Sequence, residues 1–180
     1  MKNPHQTENM VEIVVMLGGD LPGTPAAMAA AVKKFRAAGV RNPRTGPPFR
    51  SAPEDCVPGT PEFRDMALCG EWGGTPDELL ALCRRIEREA GRPEVHSSRE
   101  ARILDCDIIL FGQLTLETPR LTIPHPRARR RRFVLEPLAA LAPQLRFPDG
   151  TSVAEALAQL PPVRGAVSRL RPRKAYRRQS

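Results

Sequence analysis

An α+β sandwich, a mostly antiparallel sheet with helices packed on one of its faces, is the fold class that this chain predicts. Three observations predict it. Apolar runs of strand length recur at Val11–Leu17, Phe63–Trp72 and Ile103–Phe111. Two segments with helical spacing, each opened by Thr-Pro and closed by Gly, separate them. The resulting order, strand, helix, strand, strand, helix, strand, is that of a ferredoxin-like sandwich.

Each element has its own reason. Residues 1–10 are polar and are expected to be a disordered N-terminus, with one domain over 11–160. Val11–Leu17 is a β-rich strand ending at Gly18-Gly19-Asp20. Thr24 is expected to cap the first helix with Pro25 at its first position, and Met28, Ala31, Val32 and Phe35 give that helix a core face up to Gly39. Prolines confine 40–49 to a weak edge strand, and 51–62 reads as a long loop. Phe63–Trp72 is a strand with Met66, Leu68 and Trp72 on one face. Thr75-Pro-Asp-Glu78 is a capping box for a helix whose Leu79, Leu82, Cys83, Ile86 and Ala90 face inward, with Gly91 as its stop. A hairpin is expected around Leu114–Ile123, a short helix in 133–145 and a last helix over 153–160.

Composition narrows the function classes. No apolar run is long enough to span a bilayer, so no membrane partner is expected and the chain reads as cytoplasmic. Four cysteines without Cys-x-x-Cys spacing fit reduced core thiols. The net charge is +8, but seven of the 28 basic residues lie in 161–180, where there is no acid. The body is therefore nearly balanced, and 161–180 is expected to be a basic disordered tail without a specific nucleic-acid partner.

The chemistry concentrates in Arg102-Ile-Leu-Asp-Cys-Asp-Ile-Ile-Leu-Phe111. On a strand, Asp105 and Asp107 point the same way, their Cα atoms roughly 6–7 Å apart. Two like charges in an apolar setting repel each other and resist desolvation, a penalty that divalent cations remove. Downstream stand His125 between two prolines and an arginine-dense segment, Arg127–Arg132, interrupted only by Ala128. Guanidinium forks match phosphate oxygens, so carboxylates and arginines together point to a nucleoside triphosphate site.

The ordered set Leu-Asp-x-Asp-Ile at 104–108, Leu-Thr-Ile-Pro-His-Pro at 121–126, Arg-x-Phe-Val-Leu-x-Pro-Leu at 131–138 and Ala-Pro-x-Leu-x-Phe-Pro-Asp-Gly at 142–150 resembles the 6-hydroxymethyl-7,8-dihydropterin pyrophosphokinase family. The resemblance covers about residues 11–157 and implies transfer of diphosphate from ATP to a hydroxymethyl dihydropterin, a step of folate synthesis that releases AMP. It implies that Asp105 and Asp107 hold two Mg²⁺ ions and that Arg92 and Arg102 act with them in catalysis. Arg92, Arg102, His125, Arg129 and Arg131 match positions that contact the triphosphate, and Ile108, Arg120 and Thr122 match positions near base and ribose. Ser51, Pro53, Phe63, Asp65 and Phe133 match the pterin site, the two phenylalanines as stacking faces. A monomer or weak homo-oligomer is expected.

Several positions depart from the family pattern. Gly18-Gly19-Asp20 stands where the family has Gly-Ser-Asn, Arg99-Glu-Ala-Arg102 where it has Trp-Gly-Pro-Arg, and Asp65 where it has asparagine. An amide both donates and accepts, whereas a carboxylate only accepts. An alternative is therefore a paralogue that binds ATP and Mg²⁺ but takes another heterocycle or does no chemistry. An RNA- or anion-binding protein is the third reading.

Overall fold

The first strand explains the layering. In β1, Val11–Gly19, the apolar residues are consecutive rather than alternate. Ile13, Val15 and Leu17 are buried among one set of core residues, and Val14 and Met16 among another. A strand buried on both faces needs a packed layer on each side. The computed structural model, which describes residues 10–52, 59–92, 101–161 and 167–170, has both layers.

After β1 come α1 (Thr24–Ala37), β2 (Arg41–Thr45), β3 (Phe49–Ser51), β4 (Phe63–Trp72) and α2 (Pro76–Glu89). They are followed by β5 (Asp105–Phe111), a small hairpin of β6 (Leu116–Glu117) and β7 (Thr122–Ile123), α3 (Arg132–Leu141), α4 (Val153–Ala158) and β8 (Val167–Arg169). The main sheet runs β5-β1-β4-β3-β8, with β2 also on β4, and each of its pairings is antiparallel.

The helices divide between the faces. Met28, Ala31 and Phe35 of α1 and Leu79, Leu82, Cys83 and Ile86 of α2 cover Ile13, Val15, Leu17, Met66 and Leu68. Val134, Leu135 and Leu138 of α3 and Val153 and Ala156 of α4 cover Val14, Met16, Ala67, Cys69 and Ile109. The expectation of helices on one face is thus corrected to helices on both. The signal was in the sequence, because an apolar run without alternation marks a strand covered on each side.

Two further expectations change. Gly23, not Thr24, is the N-cap of α1 and makes no side-chain cap bond. Thr24 is the first helical residue, and its Oγ1 is buried with no hydrogen-bond partner among the described residues. The capping box of Thr75 and Glu78 is formed as expected, and Gly91 ends that helix at φ +102°. Within the stretch read as a disordered tail, Val167–Arg169 pairs with β3, and Leu170 N–H donates to Pro48 O at 2.9 Å. The rest of 162–180, together with 1–9, Pro53 and Cys56, lies outside the described residues. Cys69, Cys83 and Cys106 are buried and unpaired, with burial pushing the Cys69 thiol up to about 11.

Candidate active site

Register builds the site. Asp105 pairs with Gly18, Gly18 with Asp65 and Asp65 with Phe49, so four residues from four strands lie in one row across the sheet. Cys106 and Ile108 belong to the core under α1 and α2, and Ile109 to the core under α3 and α4. Alternation therefore puts Asp105 and Asp107 on the α3/α4 face, with Asp65 and Phe63 of β4. Gly18 leaves the row bare between Asp105 and Asp65, whose Cα atoms are about 10 Å apart. A β-carbon at Gly18 would stand 2.8 Å from Asp65 Oδ1.

The two aspartates have unlike surroundings. Asp105 accepts from Arg92 Nη1 and, at 2.8 Å, from Arg102 Nη1. Burial pushes its carboxyl up, but these two guanidinium charges outweigh that and hold it below the usual carboxylate range. The Asp107 carboxylate has neither a hydrogen bond nor an ion pair among the described residues. Burial first, and then the charge of Asp105, push it up to about 6, against the pull of Arg131, Arg102 and Arg92.

Behind this pair is a residue that the sequence reading left out of the site. Glu87 of α2 is 8% exposed and its Oε1 accepts from Cys106 N–H at 2.8 Å and meets Arg92 Nη1 at 3.0 Å. Burial, then Asp105, raises its carboxyl to about 7. One signal could have found it: Glu87 follows Cys83 by four residues and so sits on the inward stripe of its helix, where an acid needs a partner. Arg92 is also left with a donor, since its Nε is buried without a hydrogen-bond partner among the described residues.

The remaining candidates are gathered unevenly. His125 donates its backbone N–H to Ile109 O at 3.0 Å, and its Nδ1 accepts from Arg127 N–H at 3.3 Å. Burial, helped by Arg131 and Arg127, holds its imidazole below the usual range, which keeps it neutral near pH 7. The Arg131 guanidinium stands 5.1 Å from the centre of the Phe133 ring, so one face of that ring is already covered. Arg129 lies 5.0 Å from the Phe147 ring centre and is ion-paired with Asp149. Arg120 is exposed in the turn between β6 and β7, next to a half-buried Thr122. The Ile108 side chain is 4% exposed in the opposite core, away from the aspartates. Phe63 is half-buried, while Asp65 is 5% exposed and accepts the Ser51 hydroxyl.

The donor set can be tested for a metal. Among the described residues no group of three or more His, Cys, Asp and Glu side chains could cage an ion. Two carboxylates on one strand face, one of them without a hydrogen-bond or ion-pair partner among the described residues, fit Mg²⁺, which keeps water and substrate phosphate oxygens as most of its ligands. The guanidinium groups of Arg92 and Arg102 beside Asp105 fit those phosphates. No helix among the described residues is long and apolar enough to cross a membrane.

A sequence model of the family described as 7,8-dihydro-6-hydroxymethylpterin-pyrophosphokinase (HPPK) matches residues 14–143. A 2-amino-4-hydroxy-6-hydroxymethyldihydropteridine pyrophosphokinase of Methylorubrum extorquens is 34% identical over 161 residues, covering 85% of this chain and 96% of the relative. Its counterpart in Pseudomonas aeruginosa is 44% identical over 102 residues, covering 56% of this chain and 62% of the relative. A crystal structure of Plasmodium falciparum HPPK-DHPS with pteroate is similar in fold, with a TM-score of 0.66 at 11% identity, over 84% of this chain and 42% of that one.

Proposed function

The chain belongs to the 7,8-dihydro-6-hydroxymethylpterin-pyrophosphokinase family, and from that membership we propose that it transfers diphosphate from ATP to 6-hydroxymethyl-7,8-dihydropterin. The pterin hydroxyl oxygen attacks the β-phosphorus, the bond to the α-phosphate oxygen breaks and AMP leaves, while the hydroxyl proton goes to solvent. The observation that carries this reading is the convergence of Arg92 and Arg102 on Asp105, which shares a strand face with Asp107 at one end of β5.

Asp105 and Asp107 would hold the Mg²⁺ ions, two by the family pattern. Bound there, the metal supplies charge neutralisation and orientation for the triphosphate. The other roles belong to the chain itself. Arg92, Arg102, Arg129 and Arg131 would supply guanidinium donors around the polyphosphate. His125, neutral, offers a hydrogen bond rather than a charge. Arg120, Thr122 and the backbone of Ile108 are assigned to the nucleoside. Ser51, Pro53, Phe63, Asp65 and Phe133 are assigned to the pterin, with the Phe133 ring as one wall. A cytoplasmic monomer or weak homo-oligomer, without a specific nucleic-acid or membrane partner, completes the proposal.

A second reading is favoured by one observation. Asp65, where the family has asparagine, is buried and accepts from Ser51, so its edge of the pocket presents acceptors where a carbonyl-bearing ring needs a donor. The heterocycle would then differ while the phosphate half stays the same. Both readings meet in one assay, AMP release from ATP with and without hydroxymethyldihydropterin. Pterin-dependent AMP is expected. Tight nucleotide binding without pterin-dependent turnover would favour the second reading instead.

A further inference from the structure

Gly18-Gly19-Asp20, the end of the first strand and the residue after it, do more than close a turn. Asp20 is 6% exposed, and it satisfies both backbone groups of Arg102. Its N–H donates to Arg102 O at 3.1 Å, and its Oδ1 accepts from Arg102 N–H at 2.7 Å. Gly19 lies against the same segment. A β-carbon there would stand 2.8 Å from Arg102 O, 2.6 Å from Ile103 O and 2.6 Å from Thr24 Oγ1. Backbone oxygens cannot swing aside as the tip of a long side chain can, so the approach requires glycine at this position. From this clasped backbone the Arg102 guanidinium reaches Asp105 Oδ2 at 2.8 Å.

We propose that Asp20, seated by Gly19, is a positioning residue of the active site that fixes the backbone of Arg102 and so aims its guanidinium. An arginine side chain is long and rich in rotamers, and holding it at both ends removes most of that freedom before substrate arrives. The backbone end is held by Asp20, the guanidinium end by Asp105. The arrangement also accounts for a departure from the family pattern. A serine at position 19 would press on the same oxygens, so glycine there and a carboxylate at 20 work as a pair. The inference rests on the proposed function for what Arg102 is aimed at, the polyphosphate of ATP.

The test is a double-mutant cycle on the full chain, read as calorimetric affinity for a non-hydrolysable ATP analogue with Mg²⁺. Asp20→Ala is expected to weaken binding about 10-fold or more, while Asp20→Asn, which keeps an oxygen acceptor and the N–H, stays within about 3-fold of the parent. Asp20→Ala/Arg102→Ala is expected to be no worse than Arg102→Ala, because Asp20 acts through Arg102. Gly19→Ser, with Asp20 untouched, should weaken binding in the same way and serves if Asp20→Ala does not fold. Parent-like affinity in Asp20→Ala or, failing that variant, in Gly19→Ser, or losses that simply add in the cycle, would overturn the proposal. Failure of the proposed function is seen separately, as absence of pterin-dependent AMP release by the unaltered protein.

Discussion

At the scale of single residues, the role proposed for Asp107 conflicts with stability. Its carboxyl is pushed from an ordinary 3.8 up to about 6 by burial and by Asp105. Between those values the native state binds more protons than the unfolded chain, so stability falls as pH rises through the window, and the full cost remains above it. Asp107→Asn removes that charge. Without divalent metal at pH 7.5 the variant is expected to be more stable than the parent by about 1–2 kcal/mol, an advantage that fades towards pH 4. Denaturant melts at the two pH values check this, and an equally stable or weaker variant at pH 7.5 would contradict it. The aspartate pair itself was legible from an acidic alternation inside an apolar run. The Glu87 and Asp20 contacts were not, since each bonds a residue brought near only by folding, Cys106 across 19 positions and Arg102 across 82.

At the scale of elements, local chemistry was readable and long-range pairing was not. The helix 76–89 could be placed from its capping box, its inward stripe and its closing glycine, all of which act within a few residues. Thr24 misled because Thr-Pro marks a helix start whether the hydroxyl caps from outside or is carried in as the first helical residue. Strand β8 is three residues in a basic stretch rich in proline and arginine, and only its partner β3 makes it a strand. That pairing reaches the site, because β3 ends in Ser51, whose hydroxyl bonds Asp65. Truncation after residue 166 is therefore expected to raise the KM for the dihydropterin about 5-fold, the equivalent of one hydrogen bond of about 1 kcal/mol, and to leave Mg²⁺–ATP affinity unchanged. Steady-state kinetics with each substrate varied in turn will tell. A loss that falls equally on both substrates would point to general destabilisation instead.

At the scale of the whole molecule, an antiparallel sheet between two helical layers separates scaffold from chemistry. The α1/α2 face packs the larger core, while the α3/α4 face is packed towards one end and carries the acidic row at the other. The antiparallel sheet is legible in the sequence, and so is the need for a second layer, because consecutive apolar residues in three strands require cover on both faces. Everything the site is proposed to do depends on Asp105 and Asp107 gripping a metal against a polyphosphate. The direct test is a crystal grown with Mn²⁺ and a non-hydrolysable ATP analogue, examined at the manganese absorption edge. Anomalous density between the two carboxylates and the phosphate chain is the predicted result. An ordered nucleotide with no metal there, and Asp105 still paired only with Arg92 and Arg102, would contradict the account.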